Sequence, residues 1–231
     1  MRTVNVEPPT QIGTRDGLAY ALFLPPGPPR GGVVVLHGAG SCKESHYDFA
    51  RRCRTYGFAA VAFDQRGHGA SEGALDARAA ADIAAMAELL PPGVPRALRG
   101  SSMGGYLALV GAEAARADAV VAICPASAAQ LRRGLRAGAF TFRAAEPGLD
   151  AFLAEHDELA AAEGLSCPLL LMHAEGDEQV PAEHSRELHA ACERSRLVVV
   201  PGGDHRSVQH DDELQDLSVR FIRKAFGGAR G

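Results

Sequence analysis

The chain has 231 residues, of which 46% are hydrophobic and 23% charged, with a formal net charge of −4. This composition is ordinary for a globular protein, so disorder is not the default. The arginines are dispersed and no long basic run occurs, which argues against a nucleic-acid or anionic-membrane partner.

The opening MRTVNVEPPTQIGTRDG lacks the continuous apolar core of a signal peptide. Residues 2–7 together with LAYALFLPP (18–26) read as an antiparallel opening hairpin or meander. GGVVVLHG (31–38) is a β-branched run that ends in glycine. GFAAVAFD (57–64), RALRGS (96–101), AVVAICPA (119–126), CPLLLMHAEGD (167–177) and RLVVVPGGDH (196–205) behave alike. Runs without polar alternation fit strands covered on both faces, as in a parallel sheet packed between helices. Between them, Leu75, Ala79, Ile83, Met86 and Leu90 recur at helical spacing over 74–90, and Pro91-Pro92-Gly93 ends the pattern. A further helix is expected over 181–193, with Pro181 at its first position. The last spans 211–226, where Leu214, Leu217 and Phe221 form a stripe. Its acids, Asp211, Asp212 and Glu213, come first and Arg223 and Lys224 come last, as the helix dipole favours.

The fold class is therefore α/β: one domain over 1–231 with a mostly parallel sheet of about eight strands and helices on both faces. Residues 127–166 interrupt the alternation with mixed-charge helical sequence, longer than a crossover requires. Pro147-Gly148 breaks this interval, so it reads as an inserted cap of two or three short helices.

Cys42, Cys53, Cys124, Cys167 and Cys192 are odd in number and contain no C-x-x-C pair, against a disulfide framework or zinc ribbon. No apolar run approaches the ~18 residues needed to span a bilayer. A cytoplasmic protein with no membrane partner is the expectation.

Gly100-Ser101-Ser102-Met103-Gly104 lies where a strand hands over to a helix. In open α/β sheets, ligands bind beyond the carboxyl ends of strands. Within this stretch the spacing G-x-S-x-G holds only with Ser102 at its centre, since Ser101 has Arg99 two places before it. Such a turn strains the serine and exposes its hydroxyl, and the flanking glycines let strand and helix approach. A serine needs a base and a group that orients the base. Asp177 and His205 follow the next strands, in the order serine, acid, histidine. Glu175, Glu178 and Asp204 compete for the acid role; Asp177 is preferred because Gly176 permits a tight turn. An oxyanion needs two backbone donors. Met103 supplies one at the helix start, and Ala39, in His37-Gly38-Ala39-Gly40, is the first choice for the other. His37 is read as structural, tying that loop.

Four elements in order resemble the α/β-hydrolase family of serine esterases and related hydrolases, over about residues 15 to 226. They are His37-Gly38-Ala39-Gly40; Asp64-Gln65-Arg66-Gly67-His68-Gly69-Ala70-Ser71; Gly100-Ser101-Ser102-Met103-Gly104; and Asp177 with Val180-Pro181, then Gly203-Asp204-His205. The resemblance implies Ser102 as nucleophile, Asp177 as acid, His205 as base, and 64–71 as a supporting turn. The function expected is hydrolysis of short to medium carboxylic esters, with a small-molecule ester as substrate and no metal or organic cofactor required. Two other classes fit the same residues. A peptidase on small peptides would need an acidic cap group, for which Glu146, Asp150, Glu155 and Asp157 are available. A non-catalytic binding protein would not need the complete catalytic set.

Gly38-Ala39-Gly40-Ser41-Cys42-Lys43 lacks the ending of a phosphate loop. His184 and His189, five apart, diverge on a helix, and Asp211 and Asp212 fit a helix cap better than a calcium site. Phe140, Phe142, Phe152 and Leu131 suit either an acyl pocket or packing within the cap.

Overall fold

The computed structural model describes residues 6–228. Its strands are β1 (Gln11–Arg15), β2 (Leu18–Phe23), β3 (Gly32–Leu36), β4 (Ala59–Phe63), β5 (Arg96–Ser101), β6 (Ala119–Ile123), β7 (Leu169–Ala174) and β8 (Ser195–Val200). They form one eight-stranded sheet in the order β1-β2-β4-β3-β5-β6-β7-β8. The pairs β1–β2 and β2–β4 are antiparallel, and all the others are parallel. The helices are α1 (Tyr47–Thr55), α2 (Ala79–Ala87), α3 (Met103–Val110), α4 (Ala128–Arg136), α5 (Glu146–Glu155), α6 (Glu158–Glu163), α7 (Ala182–Ala191), α8 (Ser207–His210) and α9 (Asp212–Gly228).

Side chains alternate across a strand, so each central strand feeds two cores. Val34, Leu36, Leu98 and Val120 pack with Ile83 and Met86 of α2 and Tyr106 and Leu107 of α3. Val33, Val35, Val121 and Leu170 pack with Phe49 and Cys53 of α1 and Val219 and Ile222 of α9. Strands apolar at every position are thereby buried on both faces. The edge strand β8 is only partly buried.

Three details differ from the sequence reading. The partner of β2 is β1, not residues 2–7. Asp16 and Gly17, with φ of 53° and 78°, make the two-residue turn between them. Residues 2–5 lie outside the described residues, and residues 6 and 7 are not in a strand. Helix α2 starts at Ala79 rather than at residue 74, because Leu75 instead bridges Ala144 and the Asp76 carboxylate accepts the Arg78 N–H (2.9 Å). Pro181 caps α7 in an extended conformation instead of opening it.

The start of α9 is capped as expected: Asp211 Oδ1 accepts the N–H groups of Glu213 and Leu214, each at 3.0 Å. Residues between β6 and β7 carry α4, α5 and α6. The first begins in a capping box of Ser127 and Gln130. Among the described residues, no helix is long and apolar enough to cross a membrane.

Candidate active site

β5 ends at Ser101, and α3 begins at Met103, leaving Ser102 alone between them. Its φ of 54° and ψ of −121° lie in a region that L-residues rarely adopt. The neighbouring backbone holds it there. The Ser102 N–H donates to Ile123 O (2.9 Å), and its carbonyl accepts from Gly105, Tyr106 and Ala126 at 2.9, 3.1 and 3.1 Å. Glycine is required on both sides. A Cβ on Gly100 would collide with the Gly104 carbonyl, and one on Gly104 would stand 2.6 Å from His37 O. Ser101 is buried, whereas Ser102 is partly exposed.

Asp177 follows β7. Its Oδ1 accepts the N–H groups of Gln179 and Val180, both at 2.9 Å, and its Oδ2 lies 2.6 Å from His205 Nδ1. Burial alone would raise this carboxyl. The Val180 N–H, the His205 imidazole and the Gln179 N–H outweigh burial and hold it below the ordinary carboxylate range. Gly176 serves here through close approach rather than a left-handed turn: a Cβ would come within 2.5 Å of the Gly203 carbonyl oxygen. The rival Asp204 is committed elsewhere, its Oδ1 accepting the Arg206 and Ser207 N–H groups at 2.8 and 2.9 Å.

The loop after β3 is fastened from two sides. His37 Nε2 accepts the Gln65 N–H (3.0 Å), so Nδ1 carries the proton and donates to Gly38 O (2.8 Å). His68 Nε2 lies 2.9 Å from Ala39 O. Burial pushes His37 down to about 4, keeping it neutral. Gly38 backs directly on Ser102: a Cβ there would meet the Ser102 Cβ at 3.3 Å.

A cavity of about 200 Å³ joins these parts. Its lining includes Ala39, Ser102 and His205, but no residue of 127–166. Phe142, Phe152 and Leu131 are buried in the core that holds the inserted helices, with Phe140 packed against it. The aromatic residues considered for an acyl pocket therefore pack the insertion.

Residues 27–151 match the family model "Serine aminopeptidase, S33", and residues 96–229 match that of the prolyl oligopeptidase family. The chain belongs to the α/β-hydrolase family. Solved structures show the same fold. Mouse alpha/beta hydrolase domain-containing protein 10 is 22% identical, with a TM-score of 0.74 over 95% of this chain and 98% of that one. Est1E from Butyrivibrio proteoclasticus, solved with ferulic acid, is 19% identical, with a TM-score of 0.72 over 93% and 97%. The monoacylglycerol lipase of Paleococcus ferrophilus is 22% identical, with a TM-score of 0.70 over 91% and 98%. In sequence, 62 residues are 39% identical to "Uncharacterized protein YfhR" of Escherichia coli O157:H7. That match covers 25% of this chain and only 22% of that protein.

Sequence reasoning missed several residues that support this site. Lys43, the lysine of the rejected phosphate-loop pattern, points inward, with Nζ 2.7 Å from Asp64 Oδ2. His173, fully buried, donates through Nε2 to Val180 O (2.9 Å), which leaves Nδ1 to accept from Ser185 Oγ (2.6 Å). It thereby braces the turn that holds Asp177; its place four residues before Asp177 was the available signal. Cys124, His173 and Asp177 bring potential metal-ligand atoms within 4.8 Å of one another, although His173 and Asp177 already have the partners named above. His184 and His189 do diverge, His184 toward Glu158 (3.5 Å) and His189 toward Ser195 (2.6 Å).

Proposed function

We propose that this hydrolase cleaves carboxylic esters of short to medium acyl chains through an acyl-enzyme on Ser102. The observation that carries the reading is the 2.6 Å contact of Asp177 Oδ2 with His205 Nδ1, beside a serine held at positive φ in the same cavity.

Asp177 fixes Nδ1 as the protonated nitrogen, leaving His205 Nε2 free to take the Ser102 proton. Ser102 Oγ attacks the ester carbonyl carbon, and the resulting oxyanion is received by the N–H groups of Ala39 and Met103, neither of which has an acceptor among the described residues. The imidazolium then protonates the departing alkoxide. Water, deprotonated by His205, attacks the acyl-enzyme, and collapse returns Ser102 and releases the acid. Each step is complete without metal or organic cofactor.

The insertion that carries α4–α6 is the cap of a single domain: Phe142, between α4 and α5, stacks on His68 with centroids 4.4 Å apart, and His68 Nε2 lies 2.9 Å from Ala39 O. The five free thiols fit a reducing cytoplasm. A peptidase would need an acid for the substrate's amino group. Among the cap candidates, Asp150 is paired with Arg132 and Arg136, and Asp157 caps α6; the cavity lining contains no carboxylate.

The test is kcat/KM for p-nitrophenyl esters from acetate to palmitate, below their aggregation limits. Each buried CH₂ contributes about 0.8 kcal/mol until the cavity is full. The maximum is expected at a short or medium chain; a maximum at palmitate overturns the size assignment.

A further inference from the structure

The cavity beside Ser102 is polar as well as small. Ser41, Ser45, Ser101, Gln179 and Gln209 line it, together with one permanent cation, Arg206. The Arg206 guanidinium makes no ion pair or side-chain hydrogen bond among the described residues; Asp204 beside it binds backbone N–H groups instead.

A second cation lies behind this wall. Arg99 is 1% exposed on β5, two residues before Ser101, so both side chains leave the same face of the strand. Its Nη2 donates to the carbonyl of Gln209 (2.8 Å), its guanidinium carbon lies 4.0 Å from the Phe49 ring centroid, and its Nε has no partner. Among the described residues, no carboxylate is hydrogen-bonded to it. Asp48, the acid that acts on it from farther away, already accepts from His210, Gln215 and the Phe49 N–H. A buried charge is costly unless paired. The cavity thus has one cation behind its wall and another at its rim, with no acid in its lining; the carboxylates of Asp177 and Asp48 stand behind His205 and His210 and are already engaged by them.

We propose that the substrate is a short ester bearing a second, anionic group, a carboxylate or its equivalent, which Arg206 receives at the rim while Arg99 makes the wall attractive to it. This inference rests on the serine-hydrolase reading and deepens it. Such a group can accept hydrogen bonds from the hydroxyl and amide groups of the lining, whereas the far end of a longer aliphatic chain would leave them unpaired.

Two matched pairs of esters test it. Mono-p-nitrophenyl glutarate against its methyl ester places the anion on the acyl side; 4-acetoxybenzoate against its methyl ester places it on the alcohol side. At least one anionic ester is expected to exceed its neutral partner tenfold or more in kcat/KM. That ratio should fall toward one in Arg206→Gln, survive in Arg206→Lys, and shrink with added salt. Neutral esters hydrolysed as well as both anionic ones overturn the anion while leaving the hydrolase standing. A tenfold ratio that persists in Arg206→Gln overturns the role of Arg206. If all four esters are inert and a fluorophosphonate leaves Ser102 unmodified, the catalytic reading falls, and this one with it.

Discussion

Asp64 and Asp177 start as the same local object. Each follows a strand with at least one parallel neighbour, is buried, and accepts backbone N–H groups: those of Lys43 and Ala70 in one case, of Gln179 and Val180 in the other. Burial would raise both carboxyls, and in both the hydrogen bonds outweigh it and bring them below the ordinary range. They part in their third partner. Asp64 meets Lys43 Nζ at 2.7 Å, a permanent cation closed in by Glu44 at 2.8 Å. Asp177 meets His205, whose ring also lines the cavity with Ser102. A carboxylate locked to lysine can only hold structure. One bound to an imidazole orients a ring whose free nitrogen can take up a proton.

The contrast predicts which property each site loses. Asp177→Asn should lower kcat by roughly 10⁴, because an amide favours the wrong imidazole tautomer. Thermal unfolding should show the variant still folded. Equal loss of folding would put Asp177 on the same footing as Asp64. Lys43→Met should do the reverse, leaving a buried carboxylate unpaired and destabilising the fold by about 3–5 kcal/mol. Its kcat per folded molecule should change far less than in Asp177→Asn; denaturant titration beside active-site titration separates the two quantities. Adding Asp64→Asn should recover part of the lost stability.

A smaller effect belongs to His37, which bonds the Gln65 N–H beside Asp64. Burial pushes its folded pKa down to about 4, against about 6.5 in the unfolded chain. The unfolded chain therefore takes up the proton first. Stability from this group is complete above about pH 6.5 and is lost as pH falls through about 4, a change of roughly 3 kcal/mol. His46, pushed down to about 3 chiefly by burial, adds in the same direction. Unfolding free energies measured from pH 7.5 to 4.5 should hold down to about pH 6.5 and fall below it, with a shallower slope in His37→Asn. Smallest of all, Ser101→Ala should keep kcat within about tenfold, since Ser101 lacks the strained elbow position of Ser102.

Much of this was legible in the sequence because the governing physics is local. Apolar runs at every position mark doubly covered strands, and within Gly100–Gly104 the G-x-S-x-G pattern centres on Ser102 and not on Ser101. The opening hairpin was misread because β1 is a mixed, largely exposed edge strand, with Ile12 67% exposed. The available signal was Asp16-Gly17, a turn pair, rather than hydrophobicity. The polarity of the cavity was not legible. Ser45, Ser101 and Gln209 meet there from three distant segments. Arg99 gave no cue either, because a lone charge in a strand usually signals an exposed face, and here it lies in the core.

The central claim is that the strained hydroxyl of Ser102 is made nucleophilic by His205. The most direct measurement is stoichiometric labelling by a fluorophosphonate, with peptide mapping by mass spectrometry, on the wild type and His205→Ala. The account predicts one adduct per chain, on Ser102, formed at least a thousandfold more slowly in the variant. An adduct on Ser101, or equal labelling rates in the two proteins, would contradict it.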